Sequence, residues 1–250
     1  MSKPLLHFVI TRFNLKRKEE PPAEWLERRV QLFERYCLPS LIAQHNKDFY
    51  WLVLFGDSLE DSPEWLRDCI KKWCVECEML YPLFCGDWRH STIGGCVEDF
   101  IRSRMATEKA RHILTTRIDN DDGMHVGFTK DLRIHALSSI ALGVDSQILD
   151  PQYGVRYHEG KKQFLRWHRR CGPFISLLKK YHPDKKLVTV HSMGAHTEAH
   201  KVAPIKAMDP NTLYWLQVLH DTNISNKLKG NEPVIKQKNL KGFDWLELPA

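Results

Sequence analysis

The chain has no apolar run long enough to cross a membrane, so no spanning helix is expected. Its opening, Met1-Ser2-Lys3-Pro4-Leu5, leads into no apolar stretch closed by a small-residue cleavage site. A signal peptide is therefore not expected. That makes a cytoplasmic location with reduced thiols the expectation, with peripheral membrane association left open. There is no GxGxxG and no GxxxxGK[ST], so a glycine loop does not cradle phosphates here. There is no HExxH either: in His196-Thr197-Glu198-Ala199-His200 the glutamate lies between the histidines, which argues against a zinc protease. Only one CxxC occurs, Cys74-Val75-Glu76-Cys77, with Cys85, His90 and Cys96 downstream. Without a second pair, scattered buried thiols are favoured over zinc. No internal repeat or low-complexity segment is present. Charge of one sign is not in large excess: 37 Lys+Arg face 31 Asp+Glu, a net +6. This suits an anionic ligand, and no stripe of basic and aromatic residues points to nucleic acid.

What the chain does have is a core. Of its 250 residues 42% are hydrophobic, with eight Trp and eleven Phe among them. Residues 5–11 form a continuous apolar run that ends in Arg12-Phe13-Asn14, the pattern of a strand buried on both faces. A helix is expected from Pro22 or Ala23, limited by Pro39. Residues 50–55 read as a second strand, followed by a helix from Ser62-Pro63-Glu64 to about Trp73. A short strand at 79–83, a helix over 97–108 and a strand over 113–118 complete the first half. This alternation predicts an α/β fold with a mostly parallel sheet flanked by helices. The second half reads as more irregular and antiparallel. A helix over 131–142 is closed by Gly143, strands follow at 144–149, 155–158 and 163–167, and 173–178 is expected to turn into a helix. Further strands are expected at 187–190 and from Trp215 towards Asp221.

In parallel sheets, ligands bind beyond the carboxyl ends of the strands. Three such ends carry polar groups: Arg12 with Asn14, Asp57 with Ser58, and Asp119-Asn120-Asp121-Asp122. The last is unusual, because three carboxylates within four residues repel one another and are poor strand formers. A divalent cation, Mn²⁺ or Mg²⁺, would compensate them. A helix N-terminus is the other reading, although it would explain one acid more easily than three. If the backbone stays extended, Asp119 and Asp121 point to the same side. His220, ahead of Asp221, is a candidate further metal ligand, and a surface histidine is the alternative. The basic set Arg12, Arg102, Arg104, Arg111 and Arg117 could pair with a diphosphate. Arg117, two residues before Asp119, could equally hold the acids in place. His191, His196 and His200 with Glu198 read as a polar loop.

With these residues in view, the chain resembles the putative rhamnosyltransferase family of glycosyltransferases, which are GT-A-like. The resemblance runs through Arg12-Phe13-Asn14, Trp25 with Arg28 or Arg29, residues 33–41 with Gln44, residues 49–53, Thr116 to Asp122, and residues 215–226. It implies one GT-A-like domain over 1–250, with 1–125 binding a nucleotide-diphospho-sugar donor and 126–250 binding a carbohydrate or other hydroxyl acceptor. It implies a DxD motif at Asp119 and Asp121 holding Mn²⁺ or Mg²⁺, and places Arg12 and Asp57 where such folds touch the nucleotide. From the residues themselves, His220 is a candidate further metal ligand, and Arg104, Arg117 and Asp119 are candidate donor contacts. An inverting enzyme also needs a carboxylate base, for which Asp221, Asp122 and Glu198 are candidates. A metal-dependent phosphohydrolase using the same acids and a non-enzymatic polyanion binder are the alternatives.

Overall fold

The computed structural model describes residues 3–15, 23–56, 58–86, 90–221 and 233–247. In chain order the regular elements begin with β1 Leu5–Arg12, α1 Ala23–Leu32, a π-helical turn Phe33–Cys37, α2 Leu38–Ile42, β2 Tyr50–Phe55 and α3 Glu64–Glu76. They continue with β3 Leu80–Phe84, α4 His90–Glu108, β4 His112–Arg117, β5 Gly123–Met124, α5 Phe128–Ala141 and β6 Ser146–Asp150. Then come β7 Tyr153–His158, β8 Gln163–His168, β9 Ser176–Lys180, β10 Ile205–Ala207, β11 Trp215–Leu219 and β12 Val234–Ile235.

The main sheet has seven strands in the order β10-β6-β9-β4-β1-β2-β3. All are parallel except β9, which runs against both β4 and β6. The expected mixed α/β class, with a mostly parallel sheet flanked by helices, is what forms. Alternate side chains of β1 explain why. Leu5 and Val9 face the π-helical turn, α3 and α5, where Phe33, Trp73 and Leu132 are buried with them. Leu6, Phe8 and Ile10 face α4, through Val97, Ile101 and Met105. A strand apolar on both faces needs helices on both sides. The central polar exception is His7, whose Nε2 lies 2.8 Å from Thr116 Oγ1, itself 2.7 Å from Ser176 Oγ. These bonds tie β1, β4 and β9 across the sheet.

A second sheet, β12-β8-β7-β11-β5, holds the antiparallel pairs β7–β8, β8–β12 and β5–β11. Its β7 and β11 run parallel. The division at residue 125 does not separate the sheets, because β6, β9 and β10 join the main one.

Several expectations are corrected. Pro39 does not end the helix: the chain passes from α1 through the π-helical turn into α2, whose first turn holds the proline. The π turn joins α1 to α2, with Leu38 N–H bonded to Phe33 O. Residues 173–178 enter β9 rather than a helix, because a short buried apolar run has no period to distinguish the two. Residues 187–190 lie beside β4 without joining a ladder. Val190 N–H instead donates to Thr115 Oγ1 at 3.0 Å. The helix expected over 97–108 begins earlier, at His90. The four described cysteines of the weak zinc reading pack apart: Cys74 and Cys77 lie against the first helical layer, Cys85 and Cys96 against the second. The sheet stands between them, and all seven cysteines are free.

Two predictions follow from this packing. A Cβ at Gly154 would lie 2.1 Å from the Trp215 ring, whereas one at Gly95, in α4, meets nothing within 4 Å. Gly154→Ala should cost about 1–3 kcal/mol in urea unfolding, and Gly95→Ala should stabilise by about 0.5–1 kcal/mol. Equal effects of the two would contradict the packing. Burial, reinforced by Arg133, lowers the His7 pKa from 6.5 to about 3. The unfolded chain then takes up a proton below about 6.5 that the folded chain refuses. This contribution is complete above pH 6.5 and is lost as pH falls towards 3, at up to about 1.4 kcal/mol per pH unit. His7→Gln should flatten the stability slope between pH 6.5 and 4, measured by urea midpoints.

Candidate functional site

The carboxyl ends of β1 and β4 lie side by side, with Ile10 opposite Arg117. Beyond them the chain turns at once, because Asp122 N–H donates to Asp119 O at 3.3 Å. This overturns the extended reading of Asp119 to Asp122. In a turn, successive side chains leave in different directions, and each acid meets a different partner.

Asp119 stays near β1 and β4. Both of its carboxylate oxygens accept from Arg117 Nη2 at 3.1 Å, and Arg12 Nη2 lies 3.8 Å away. Burial opposes its ionisation, but the Arg117 and Arg12 guanidiniums outweigh this and hold its carboxyl below the usual range. Asn120 is buried, donating to Phe13 O at 3.0 Å and accepting from Arg29 at 3.3 Å. Asp121 is buried against α1: its Oδ2 accepts from Arg29 Nη1 at 2.6 Å and lies 2.9 Å from His220 Nε2. Asp122 points to the second sheet, where its Oδ1 accepts from Val218 N–H at 2.9 Å. Burial, then the charges of Asp121 and Asp119, push its carboxyl well above the usual range. Gly123 and Met124 next pair with Leu216 and Trp215. The acid turn is thus the joint between the two sheets.

A second ionic group adjoins it. Glu159, just past β7, pairs with Arg28 and with Arg35 at 3.3 Å, and accepts from Tyr36 OH at 3.2 Å. Arg28 also lies 4.0 Å from Asp221, whose side chain is 80% exposed beside His220. On the far side of Asp119, His191 Nε2 lies 3.3 Å from Ile10 O. Burial, with Arg117 and Arg12, lowers its pKa to about 3. His196 Nδ1 donates to Cys171 O at 2.6 Å.

The expected site residues therefore part company. Arg12, Arg117, Asp119, Asp121, Asp122, His220 and Asp221 gather at the junction of the two sheets. Arg104 does not: its guanidinium lies 5.1 Å from the Tyr50 ring and 5.3 Å from Tyr81, at the amino ends of β2 and β3. It is a packing cation rather than a donor contact. Glu198 is exposed and pairs with Lys201 at 2.5 Å. Asp57 lies outside the described residues. Sequence reading missed Arg29 as the partner of Asp121, and Glu159 with Arg35 and Tyr36 altogether. Arg29 and Asp121 are 92 residues apart, so no local pattern joins them. The adjacent Arg28-Arg29 on one helix was the available signal.

As placed, the acids do not form a ligand set for the expected Mn²⁺ or Mg²⁺. Asp121 Oδ2 is shared by Arg29 and His220, Asp122 Oδ1 is engaged by Val218, and Asp119 is held by Arg117. Among the described residues, no group of three or more His, Cys, Asp and Glu side chains could hold a metal ion. Nor, among them, is any helix long and apolar enough to cross a membrane.

Comparison with known proteins adds the following. The family model described as "Putative rhamnosyl transferase" matches residues 15–232. No curated protein sequence matches the chain. Among solved structures, S. aureus TarS 1-349 in complex with UDP is similar at 12% identity and a TM-score of 0.46, over 86% of this chain and 60% of that one. Against a second, S. aureus TarS structure the TM-score is 0.41 at 12% identity, over 88% of this chain and 37% of that one. The nucleoside-diphosphate-sugar pyrophosphorylase from Vibrio cholerae RC9 gives 0.37 at 10% identity, over 84% and 92%. The chain spans less than two thirds of either TarS structure.

The Arg29–Asp121 pair, each side chain 10% exposed, is the most consequential contact here. Arg29→Met should cost about 3–5 kcal/mol in urea unfolding, because it strands a buried carboxylate. Adding Asp121→Asn to that variant should recover part of the loss. A loss below about 1 kcal/mol, the worth of an exposed pair, would show that the contact is not buried in solution.

Proposed function

The chain belongs to the family described as putative rhamnosyl transferase, and from that premise we propose that it is a glycosyltransferase of GT-A type. It moves a sugar, rhamnose by the family description, from a nucleotide-diphospho-sugar to an acceptor hydroxyl. The observation that carries this reading is the convergence of Arg12 and Arg117 at the carboxyl ends of adjacent parallel strands. That edge is where an α/β sheet binds ligands. The first half of the chain supplies the donor side and the second half the acceptor side, across the acid turn.

In this reading the two arginines face the donor diphosphate and stabilise the charge that grows on it as the glycosidic bond breaks. Asp119 orients Arg117 by accepting from it with both oxygens. Asp221 is the base that takes the acceptor proton. It is the exposed acid of the junction, beside His220 and within reach of Arg28. Asp122 is buried with its Oδ1 on Val218, so it builds the joint between sheets. Glu198, engaged by Lys201, is set aside as a base. The phosphohydrolase alternative asks the acids to converge on an ion, and they diverge.

A panel of UDP-, GDP- and dTDP-sugars tests the reading by thermal shift. A true donor at a hundred times its Kd should add about 2.7 kcal/mol of apparent stability. With that donor and a competent acceptor, Asp221→Asn should lower kcat by about 10²–10⁴ while donor affinity holds. A panel with no stabilising sugar nucleotide would sink the proposal, and full turnover by Asp221→Asn would remove Asp221 from it.

A further inference from the structure

The three clustered carboxylates need compensating positive charge, and the fold supplies it from the chain. Asp121 has Arg29 at 2.6 Å and Asp119 has Arg117 at 3.1 Å, while Asp122 takes a backbone N–H. A cation at Asp121 Oδ2 would have to displace Arg29, leaving a guanidinium only 10% exposed without its partner. Stranding a buried charge in this way is strongly unfavourable.

Exposure points the same way. Asp121 is 7% exposed and Asp122 3%, so neither offers a face to an incoming ion. The accessible part of the cluster is Asp119, with 32% of its side chain exposed, flanked by Arg117 and by Arg12 at 41%. Both guanidiniums converge on that carboxylate at the open edge of the sheet. Arg117 also carries a buried Nε–H with no acceptor among the described residues. An arginine pair of this kind suits a diphosphate, because the planar guanidinium matches phosphate oxygens in pairs.

We propose that Arg12 and Arg117 bind the donor's diphosphate directly, and that binding requires no divalent cation. This rests on the donor reading above. Asp119 is the positioning residue that sets the angle of Arg117. Arg29 and His220 hold Asp121 as part of the frame.

Isothermal titration of the full chain tests this, with inorganic pyrophosphate and with UDP, GDP and dTDP, each in EDTA and again with Mn²⁺. Pyrophosphate and at least one nucleotide should bind in EDTA, with affinity changed less than about threefold by Mn²⁺, well short of the tenfold that 1.4 kcal/mol represents. Arg117→Met should weaken pyrophosphate by about tenfold or more, the loss of a charge-assisted hydrogen bond. Arg12→Met, at an exposed position, should weaken it similarly without disturbing the fold, as thermal melting can check. Binding that appears only with Mn²⁺ would overturn the inference and leave the donor reading standing. Unchanged affinity in Arg12→Met would overturn it too. Pyrophosphate binding in EDTA with no nucleotide bound under any condition would keep the anion site and overturn the donor reading. Failure of every ligand in both conditions would overturn both.

Discussion

The contact between Asp121, Arg29 and His220 is the constraint on which the rest of the site depends. It joins three separate parts of the chain: the turn after β4, the helix α1, and the end of β11. Both partners of the ion pair are nearly buried, so neither can leave without stranding the other. The neighbouring residues are held by the same logic. Asn120 ties the turn to Phe13, and Asp122 ties it to Val218 in the second sheet. A run of polar residues that looks costly in sequence is the point at which two sheets and a helix are fastened together.

That fastening separates the acids by role. An extended strand would set Asp119 and Asp121 on one face, side by side and mutually repelling. The turn sends them to different counter-ions, and the repulsion is relieved without bringing them together. Asp119 keeps an ionised carboxylate because two arginines outweigh its burial. Asp122, buried next to two other acids with a backbone N–H on its Oδ1, is pushed the other way. Of the arginines around the acid turn Arg12 is the one presented to solvent, while Asp121 and Asp122 stay inside. An exposed guanidinium suits an anionic ligand, in keeping with the small positive balance of the whole chain.

Much of the frame was legible before the fold was known. β1 and β2 are long apolar runs whose only stable place is between two layers of helix. Gly143 closes α5 with a φ of +76°, a conformation that suits glycine. The errors share a cause. Residues 173–178 and 187–190 are short apolar segments whose period says little, and partners far away in the chain decided the outcome. β9 was drawn between β4 and β6, whereas 187–190 packed over Thr115, to which Val190 N–H donates. The Arg104 reading failed similarly: position on a helix does not say which end of the sheet the helix brings it to, and the Tyr50 and Tyr81 rings settled that.

Sequence alone carried the α/β class and pointed to the acid cluster at a carboxyl edge as the candidate site. These follow from hydrophobic period and from the cost of crowding like charges, both of which are local properties. Only the tertiary structure decided which charges compensate which. Arg29 and Asp121 lie 92 residues apart, and His220 lies 99 residues beyond Asp121. Electrostatic compensation depends on distance in space and on burial, neither of which the order of residues contains. The same cluster that in sequence called for an external cation is, once folded, supplied with cations of its own.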